Sequence, residues 1–426
     1  MTPRRRFLKQ SGGALAGLAA FPNLILRAAA APSEQITVGF IGTGSHGIGR
    51  NLNMFLQQAD ARVLAVCDPY RDRMEKAKGM TDERYGNNDC EMVSDFRKII
   101  ARDDIDAVMI STPDHWHTLI SDLALRSGKD VICEKPTLTI AEGRYLSDLV
   151  ASTGRVFQTA TEDRSYFNYH RMAELVRNGR IGKLERVEVR LPRGDDFPDE
   201  NPAPVPAGFD YDMWLGPAPE APFTASRTKP MHWRQIWDYS GGLLTDWGMH
   251  QLDTVQLAND TEATGPISVG GHGTLTPGSM FNTFVDYDLT YAYANGVQLH
   301  VQSGGTSLRF IGSDGWVGNA GWDAGLEASD RDILHSKIGD DETKLFREPA
   351  GEHRNFLDCV KTRNQPYFPA EFGHRCATLC HMGNIAMQLE RDLAWDPEAE
   401  SFPDDEEANA LRSRPMRAPW KLGMAL

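Results

Sequence analysis

Cysteine is scarce, with six in 426 residues and no pair spaced as CxxC, so neither a disulfide scaffold nor a paired-cysteine zinc site is indicated. Basic charge is also in deficit. The chain carries 45 Lys and Arg against 59 Asp and Glu, a formal balance of -14, and a surface of that sign repels phosphate backbones and anionic lipid. Nucleic acid and membrane surfaces are therefore excluded as natural partners, and a small neutral substrate fits better. Beyond the first thirty residues there is no long apolar run, internal repeat or low-complexity tract. What is present, 41% hydrophobic and 24% charged residues, is the balance of an ordinary globular protein, and the length allows two or three domains.

Residues 1–30 stand apart from the fold. Arg4-Arg5-Arg6-Phe7-Leu8-Lys9 precedes an uncharged Ala/Gly/Leu stretch from Ser11 to Leu26, then Ala28, Ala29 and Ala30. This resembles a twin-arginine export signal cleaved near Ala30 or Ala31. The stretch is short and Gly-rich for a membrane span of about 20 residues, so an address is expected, with no stable membrane insertion after cleavage. Removing Arg4, Arg5, Arg6, Lys9 and Arg27 leaves 40 basic against 59 acidic side chains, a balance of -19. The implied location is the periplasm, or otherwise outside the cytoplasm. The twin-arginine route carries proteins already folded, which suits Cys67 and Cys133, each at the end of an apolar run and expected to be buried and reduced.

From Gln35 short β-branched runs alternate with helical patterns. ITVGFI, RVLAVC, AVMIS, DVIC and VFQTA read as strands, with SDFRKIIA, HTLISDLALRSG and AEGRYLSDLVAST between them. That alternation predicts an α/β domain, a doubly wound parallel sheet over residues 35–160. An α+β domain over residues 161–400 follows, with a helix near Tyr166 to Asn178 and a strand in KLERVEVRLP. Nine of the 24 prolines fall from Pro192 to Pro230, which reads as a long surface or active-site loop. VDYDLTYAY and VQLHVQS flank Asn295-Gly296, and LRFIG and WVGN flank Ser313-Asp314-Gly315, so the second sheet is mostly antiparallel. Helices are expected near Glu352 to Lys361 and His374 to Arg391, before a polar tail over residues 401–426. Cys376 and Cys380, beside His374 and His381, read as helix packing, and no metal is expected.

Gly42-Thr43-Gly44-Ser45-His46-Gly47 follows the first strand directly and opens a helical pattern. In that position the glycines form a tight turn and let backbone N–H groups approach a pyrophosphate. Asp68, twenty-one residues past Gly47 at the end of the next strand, would accept hydrogen bonds from the adenosine ribose. Its charge favours NAD over NADP, although Arg71 and Arg73 keep NADP open.

Two further motifs point to the chemistry. Glu134-Lys135-Pro136 follows DVIC, at the carboxyl end of the parallel sheet where ligands bind. Asp246 and His250, in Gly-Gly-Leu-Leu-Thr-Asp-Trp-Gly-Met-His, are four residues apart on one helical face. Together these motifs, in this order, resemble the glucose-fructose oxidoreductase / inositol dehydrogenase / MocA family from Gln35 to the tail. The resemblance implies a Rossmann domain followed by a domain with a large open sheet, whose face forms a homo-oligomer contact. It also implies that Ser111, Thr112, Pro113, His117, Glu134 and Lys135 lie by the cofactor, with Asp114 where Asn is common. Carried over, Lys135 lies beside the reacting carbinol, His250 is the general acid/base and Asp246 supports it. An imidazole titrating near neutrality suits proton removal, and an ammonium stabilises the developing alkoxide. Arg164, Tyr166, His232, Trp233, Arg234 and Tyr239 flank these motifs as substrate contacts.

The resulting expectation is an exported NAD-dependent oxidoreductase acting on a secondary alcohol of a carbohydrate or cyclitol, its cofactor tightly bound. One alternative is an NAD-dependent glycoside hydrolase or lyase working by transient oxidation at C3 and elimination. Another is a non-catalytic sugar-binding protein on the same fold. The intact Lys135 favours oxidoreduction.

Overall fold

The computed structural model describes residues 34–426, so the export signal expected at residues 1–30 lies outside the described residues. The first sheet holds β1 (Ile36–Ile41), β2 (Ala61–Cys67), β3 (Glu91–Val93), β4 (Ala107–Ile110), β5 (Asp130–Glu134) and β6 (Phe157–Ala160). They lie in the order β3-β2-β1-β4-β5-β6, every pair parallel. The order reverses between β1 and β4, and a doubly wound sheet opens its ligand crevice at that switch point, outside the carboxyl ends of the strands. The β-branched runs of β1, β4 and β5 are buried on both faces, as a sheet covered by helices on each side requires.

The second sheet holds β7 (Leu184–Leu191), β8 (Ser268–Thr274), β9 (Asp286–Ala292), β10 (Gln298–Ser303), β11 (Leu308–Gly312), β12 (Gly315–Asn319), β13 (Leu326–Ala328) and β14 (Leu393–Ala394). Their order is β13-β12-β11-β7-β10-β9-β8-β14, and only β7 with β10 is parallel. The two hairpins read from Asn295-Gly296 and Ser313-Asp314-Gly315 are β9–β10 and β11–β12. The strand β8 was not expected, because SVGGHGT has three glycines. Its glycines answer to close packing: a Cβ on Gly271 would stand 2.1 Å from the Asp288 carbonyl oxygen, and one on Gly273 2.3 Å from Met387 Sδ.

The helices Phe167–Arg177, Leu243–Ala258 and Ala370–Leu389 cover this sheet. Gly248 lets Leu243–Ala258 approach Ala370–Leu389, since a Cβ there would meet Cys380 Sγ at 2.8 Å. That contact fixes the helix carrying Asp246 and His250. Among the described residues no helix is long and apolar enough to cross a membrane.

Three segments depart from the expected layout. The helix Glu352–Thr362, placed by sequence in the second domain, packs Phe356, Leu357, Cys359 and Val360 into the core of the first sheet. Residues 401–426 are not a loose tail: Trp420 is buried with Phe96 and Trp116 on the other face of that sheet. The proline-rich excursion after β7 is no open loop either, for Phe209, Trp214, Phe223, Trp233 and Tyr239 form a small aromatic core within it. In the first two cases the partners are far away in sequence, beyond the reach of local patterning.

Candidate active site

The glycine-rich turn leads from β1 into a helical run over Gly47–Leu52 and Asn53–Leu56. Gly42 has φ +95°, and a Cβ there would lie 2.5 Å from the carbonyl carbon and oxygen of Ser111. At Gly47 a Cβ would lie 2.3 Å from the Gly42 oxygen. Only glycine fits either position. A Cβ on Gly44 would meet nothing nearer than Arg73 Nη1 at 3.9 Å. The space above Gly44 opens into a cavity that also touches Ser45, Asp68, Ser111, Pro113 and Lys135, so the turn is shaped to receive a pyrophosphate.

Asp68 is buried at the end of β2. One of its oxygens accepts the Thr43 N–H at 2.7 Å and the other the Tyr70 N–H at 2.9 Å, so the carboxylate holds the turn as well as facing the ribose position. Thr43 itself turns inward and is fully buried. Glu134, expected among the cofactor residues, accepts from Asn51 Nδ2 at 2.8 Å and meets His46 Nε2 at 3.0 Å. Although burial opposes its charge, His46 and Lys135 hold its carboxyl well below the usual carboxylate range. His117 is a brace. Its ring nitrogens meet the Pro136 carbonyl at 2.7 Å and the Thr112 carbonyl at 2.8 Å, tying the Glu-Lys-Pro turn to the end of β4. Asp114 is buried, accepts from Ser240 Oγ at 2.6 Å, and is pushed up to about 7 by its burial.

Lys135 and His250 come from different domains and line one cavity. Lys135 Nζ donates to the Asp246 backbone oxygen and to Asp246 Oδ1, both at 2.6 Å. Burial opposes the charge on Lys135, but Asp246 outweighs it and raises the ammonium above its ordinary value. Asp246 is in turn held well below the carboxylate range, against its burial, by Lys135 and Arg234.

Asp246 was expected to support His250, and it does not hydrogen-bond to it. Its side chain turns instead to Lys135 and to Arg234 Nε at 3.2 Å. The partner of His250 is Asp163, whose Oδ1 lies 3.0 Å from Nδ1, with Thr161 Oγ1 also at 3.0 Å. Glu162 Oε2 is 3.9 Å from the same nitrogen. Burial and Lys135 favour the neutral ring, but Glu162 and Asp163 outweigh them and the imidazole is raised above its ordinary value.

Asp163 was missed by sequence. It lies just past the carboxyl end of β6, the same positional signal that singled out Lys135 after β5. The expectation fell instead on its neighbour Arg164, and the structure corrects it. Arg164 is buried, bonded through two nitrogens to Asp253 at 2.7 and 2.6 Å and to the Tyr367 carbonyl at 2.5 Å, with Glu262 at 2.7 Å. It closes a structural ion network and does not reach the cavity.

Of the other expected substrate contacts, Trp233 and Arg234 line the cavity. Tyr166 does not; it packs edge-on behind Trp322, with ring centroids 6.0 Å apart. His232 lies between Phe197 and Phe281, and Tyr239 is fully buried. Among the cavity residues that escaped notice are Trp247, inside the Asp246–His250 motif, and Trp322, on the turn after β12, which has no sequence signal at all.

His374 pairs with Glu400 at 2.9 Å and His381 Nε2 meets the Thr137 carbonyl at 2.9 Å, so the Cys376–Cys380 region has separate packing partners. Glu162, Asp163 and His250 do bring metal-type donor atoms within 4.8 Å of one another. A cation there would displace the proton shared between Nδ1 and Asp163 Oδ1.

The raised imidazole has a pH consequence. His250 must be neutral to accept a proton, so the kcat/KM of any reaction in which it serves as the base should rise with pH through a pKa above the ordinary imidazole value. Asp163→Asn removes the carboxylate, so this limb should move to lower pH. The variant should also lose roughly 100-fold in kcat as the ring tautomer is no longer fixed. A pH–rate profile of the two proteins checks both.

A dinucleotide turn, a ribose carboxylate and a Lys–His pair at the mouth of a doubly wound sheet define a nicotinamide-dependent oxidoreductase architecture. Comparison with known families agrees. Residues 36–161 match the model described as oxidoreductase family, NAD-binding Rossmann fold, and residues 197–422 match oxidoreductase family, C-terminal alpha/beta domain. The chain belongs to the Gfo/Idh/MocA oxidoreductase family, and its first domain is an NAD-binding Rossmann domain. It is 25% identical over 347 residues to scyllo-inositol 2-dehydrogenase (NAD(+)) of Bacillus subtilis, covering 78% of this chain and 88% of that one. It is 31% identical over 213 residues to a glycosyl hydrolase family 109 protein of Shewanella baltica, covering 44% of this chain. The match spans 45% of that relative's length, less than half of it. The fold is similar to aldose-aldose oxidoreductase from Caulobacter crescentus, with TM-score 0.63, 18% identity, and 84% and 99% of the two chains covered.

Proposed function

We propose that the protein is an exported NAD-dependent oxidoreductase acting on a secondary alcohol of a sugar, glycoside or cyclitol. The observation that carries this reading is the convergence of Lys135 and His250, from separate domains, on the cavity lined by the glycine-rich turn. Bound NAD supplies the hydride acceptor at the carbinol carbon. With Nδ1 tied to Asp163 and Thr161, His250 presents Nε2 as the base for the hydroxyl proton. Lys135, held by two hydrogen bonds to Asp246, keeps its remaining N–H for the developing alkoxide. Trp233, Trp247 and Trp322 line the cavity with aromatic surface suited to the C–H face of a saturated ring, and Arg234 adds polar donors beside them. The names of the inositol and aldose relatives support the substrate class.

Export is supported by the basic cluster and apolar stretch of residues 1–30. All six cysteines are free and buried, which suits a chain folded before it meets an oxidising compartment. Free nicotinamide cofactor is not expected there, so oxidation of one sugar has to be balanced by reduction of a second. The similarity to a family 109 glycosyl hydrolase favours a second reading, in which one glycoside is oxidised, loses its substituent by elimination, and is reduced again.

Incubation of the purified protein with glycosides and a reducible sugar as hydride acceptor, without added NAD, separates these readings. Ketosugar formation supports the oxidoreductase, release of the glycosidic substituent supports the second reading, and binding without turnover overturns both. Mass spectrometry after denaturation should find NAD in protein purified without added cofactor; its absence would overturn the balanced cycle.

A further inference from the structure

We infer that the proline-rich excursion is a strap that closes over the adenosine end of the cofactor crevice and governs how long NAD stays bound. The inference rests on the NAD-binding reading and deepens its claim of a retained cofactor. The excursion leaves the second sheet after β7 and returns at Gly242, yet it reaches across to the first domain at the end of β2, where Asp68 stands.

There it forms one rung of antiparallel pairing, Tyr70 with Phe209. The Arg71 N–H donates to the Gly208 carbonyl and the Asp210 N–H to the Pro69 carbonyl, both at 2.9 Å. The rings of Tyr70 and Phe209 stack at 3.7 Å and 9°. Tyr70 Oη also lies 2.6 Å from Thr228 Oγ1, further along the strap. A second tie sits deeper, where the Trp214 carbonyl accepts the Trp116 indole N–H at 3.1 Å and meets His115 Nε2 at 3.0 Å. Gly216 follows at φ +49°, with the Trp116 ring so close that a Cβ would stand 2.0 Å from it.

These ties place Met213, Trp214 and Thr228 on the wall of the same cavity that Asp68, Arg73 and Phe96 line from the other side. The ribose carboxylate and the strap thus face each other across the groove, and a nucleotide seated on Asp68 lies under the strap. Its departure requires the Tyr70–Phe209 rung to open. The two backbone bonds and the ring stack there together should slow release by about one to two powers of ten.

The pairing itself provides the test. The bonds flank Tyr70 and Phe209 and do not join them, so this is a non-hydrogen-bonded pair with Cα atoms about 4.5 Å apart, within disulfide range. The six native cysteines are buried and leave a new bridge unambiguous. In the double variant Tyr70→Cys/Phe209→Cys, NADH release is followed by its fluorescence in the oxidised and the reduced protein. The oxidised form should release NADH at least 10-fold more slowly than the reduced form. Equal rates would overturn the strap, whatever the rates are. The wild-type rate is read separately: fast release from wild type with a large oxidised-to-reduced ratio would refute the retained-cofactor reading while upholding the strap. Because both states are the same polypeptide, a folding defect cannot imitate the contrast.

Discussion

Lys135→Met should abolish turnover almost completely, with kcat falling about 10³-fold, or about 4 kcal/mol of transition-state stabilisation. The ammonium is placed by Asp246 through two 2.6 Å bonds, and no other described cation stands in its place: Arg234 spends its Nε on Asp246 and its Nη1 on the Pro230 carbonyl at 2.5 Å. Methionine keeps the unbranched stem, one atom shorter, and leaves the alkoxide unpartnered. It also leaves Asp246 buried with Arg234 alone, so the melting temperature should fall too, since breaking a buried pair costs about 3–5 kcal/mol. NADH binding should persist, because the contacts of the glycine-rich turn do not involve Nζ. Rate measurements at saturating substrate, with NADH titration and thermal melts alongside, separate the three effects. Retained turnover would remove Lys135 from the mechanism.

Gly42→Ala should destroy cofactor binding through the backbone. A Cβ at that site stands 2.5 Å from the main chain of Ser111 and 2.7 Å from Thr112 N, at φ +95°. No side-chain rotation relieves a clash with main chain, and the end of β4 that must yield is itself a wall of the crevice. A loss of about 3 kcal/mol, roughly 100-fold or more in NADH affinity, is expected together with a lower melting temperature. Gly44→Ala is the informative contrast. Its Cβ has open space, so the melting temperature should hold while NADH affinity falls, because the occupied space belongs to the pyrophosphate. Equal behaviour of the two variants in both assays would contradict this division.

Short-range patterns made much of the first domain legible. β1 and the glycine turn are contiguous, Asp68 ends the next apolar run, and Glu134-Lys135-Pro136 ends another, so each residue carries its own location. The hairpins β9–β10 and β11–β12 were equally local. The proton-handling residues were not. Asp163 and Arg164 are neighbours on one tight turn, and nothing in their order says that the acid faces His250 while the base faces Asp253. The rotation of Asp246 toward Lys135 depends on a contact 111 residues away. Trp322 reaches the cavity only because the second sheet brings its turn there. Residue type and helical spacing carry no information about such long-range choices.

The return of Glu352–Thr362 and Trp420 to the first sheet also sets a timetable for biosynthesis. A ribosome extends the chain from its N-terminus, and independent domains ordinarily fold in that order as they emerge. Here the N-terminal nucleotide-binding sheet lacks the covering of Phe356 and Leu357, both fully buried, until strands β7 to β13 of the second domain have been made. Its opposite face waits for Trp420, which lies beyond every strand of the second sheet. Nascent chains stalled before residue 352 should therefore hold an open, sticky sheet, and the first domain is completed only after most of the second has been made.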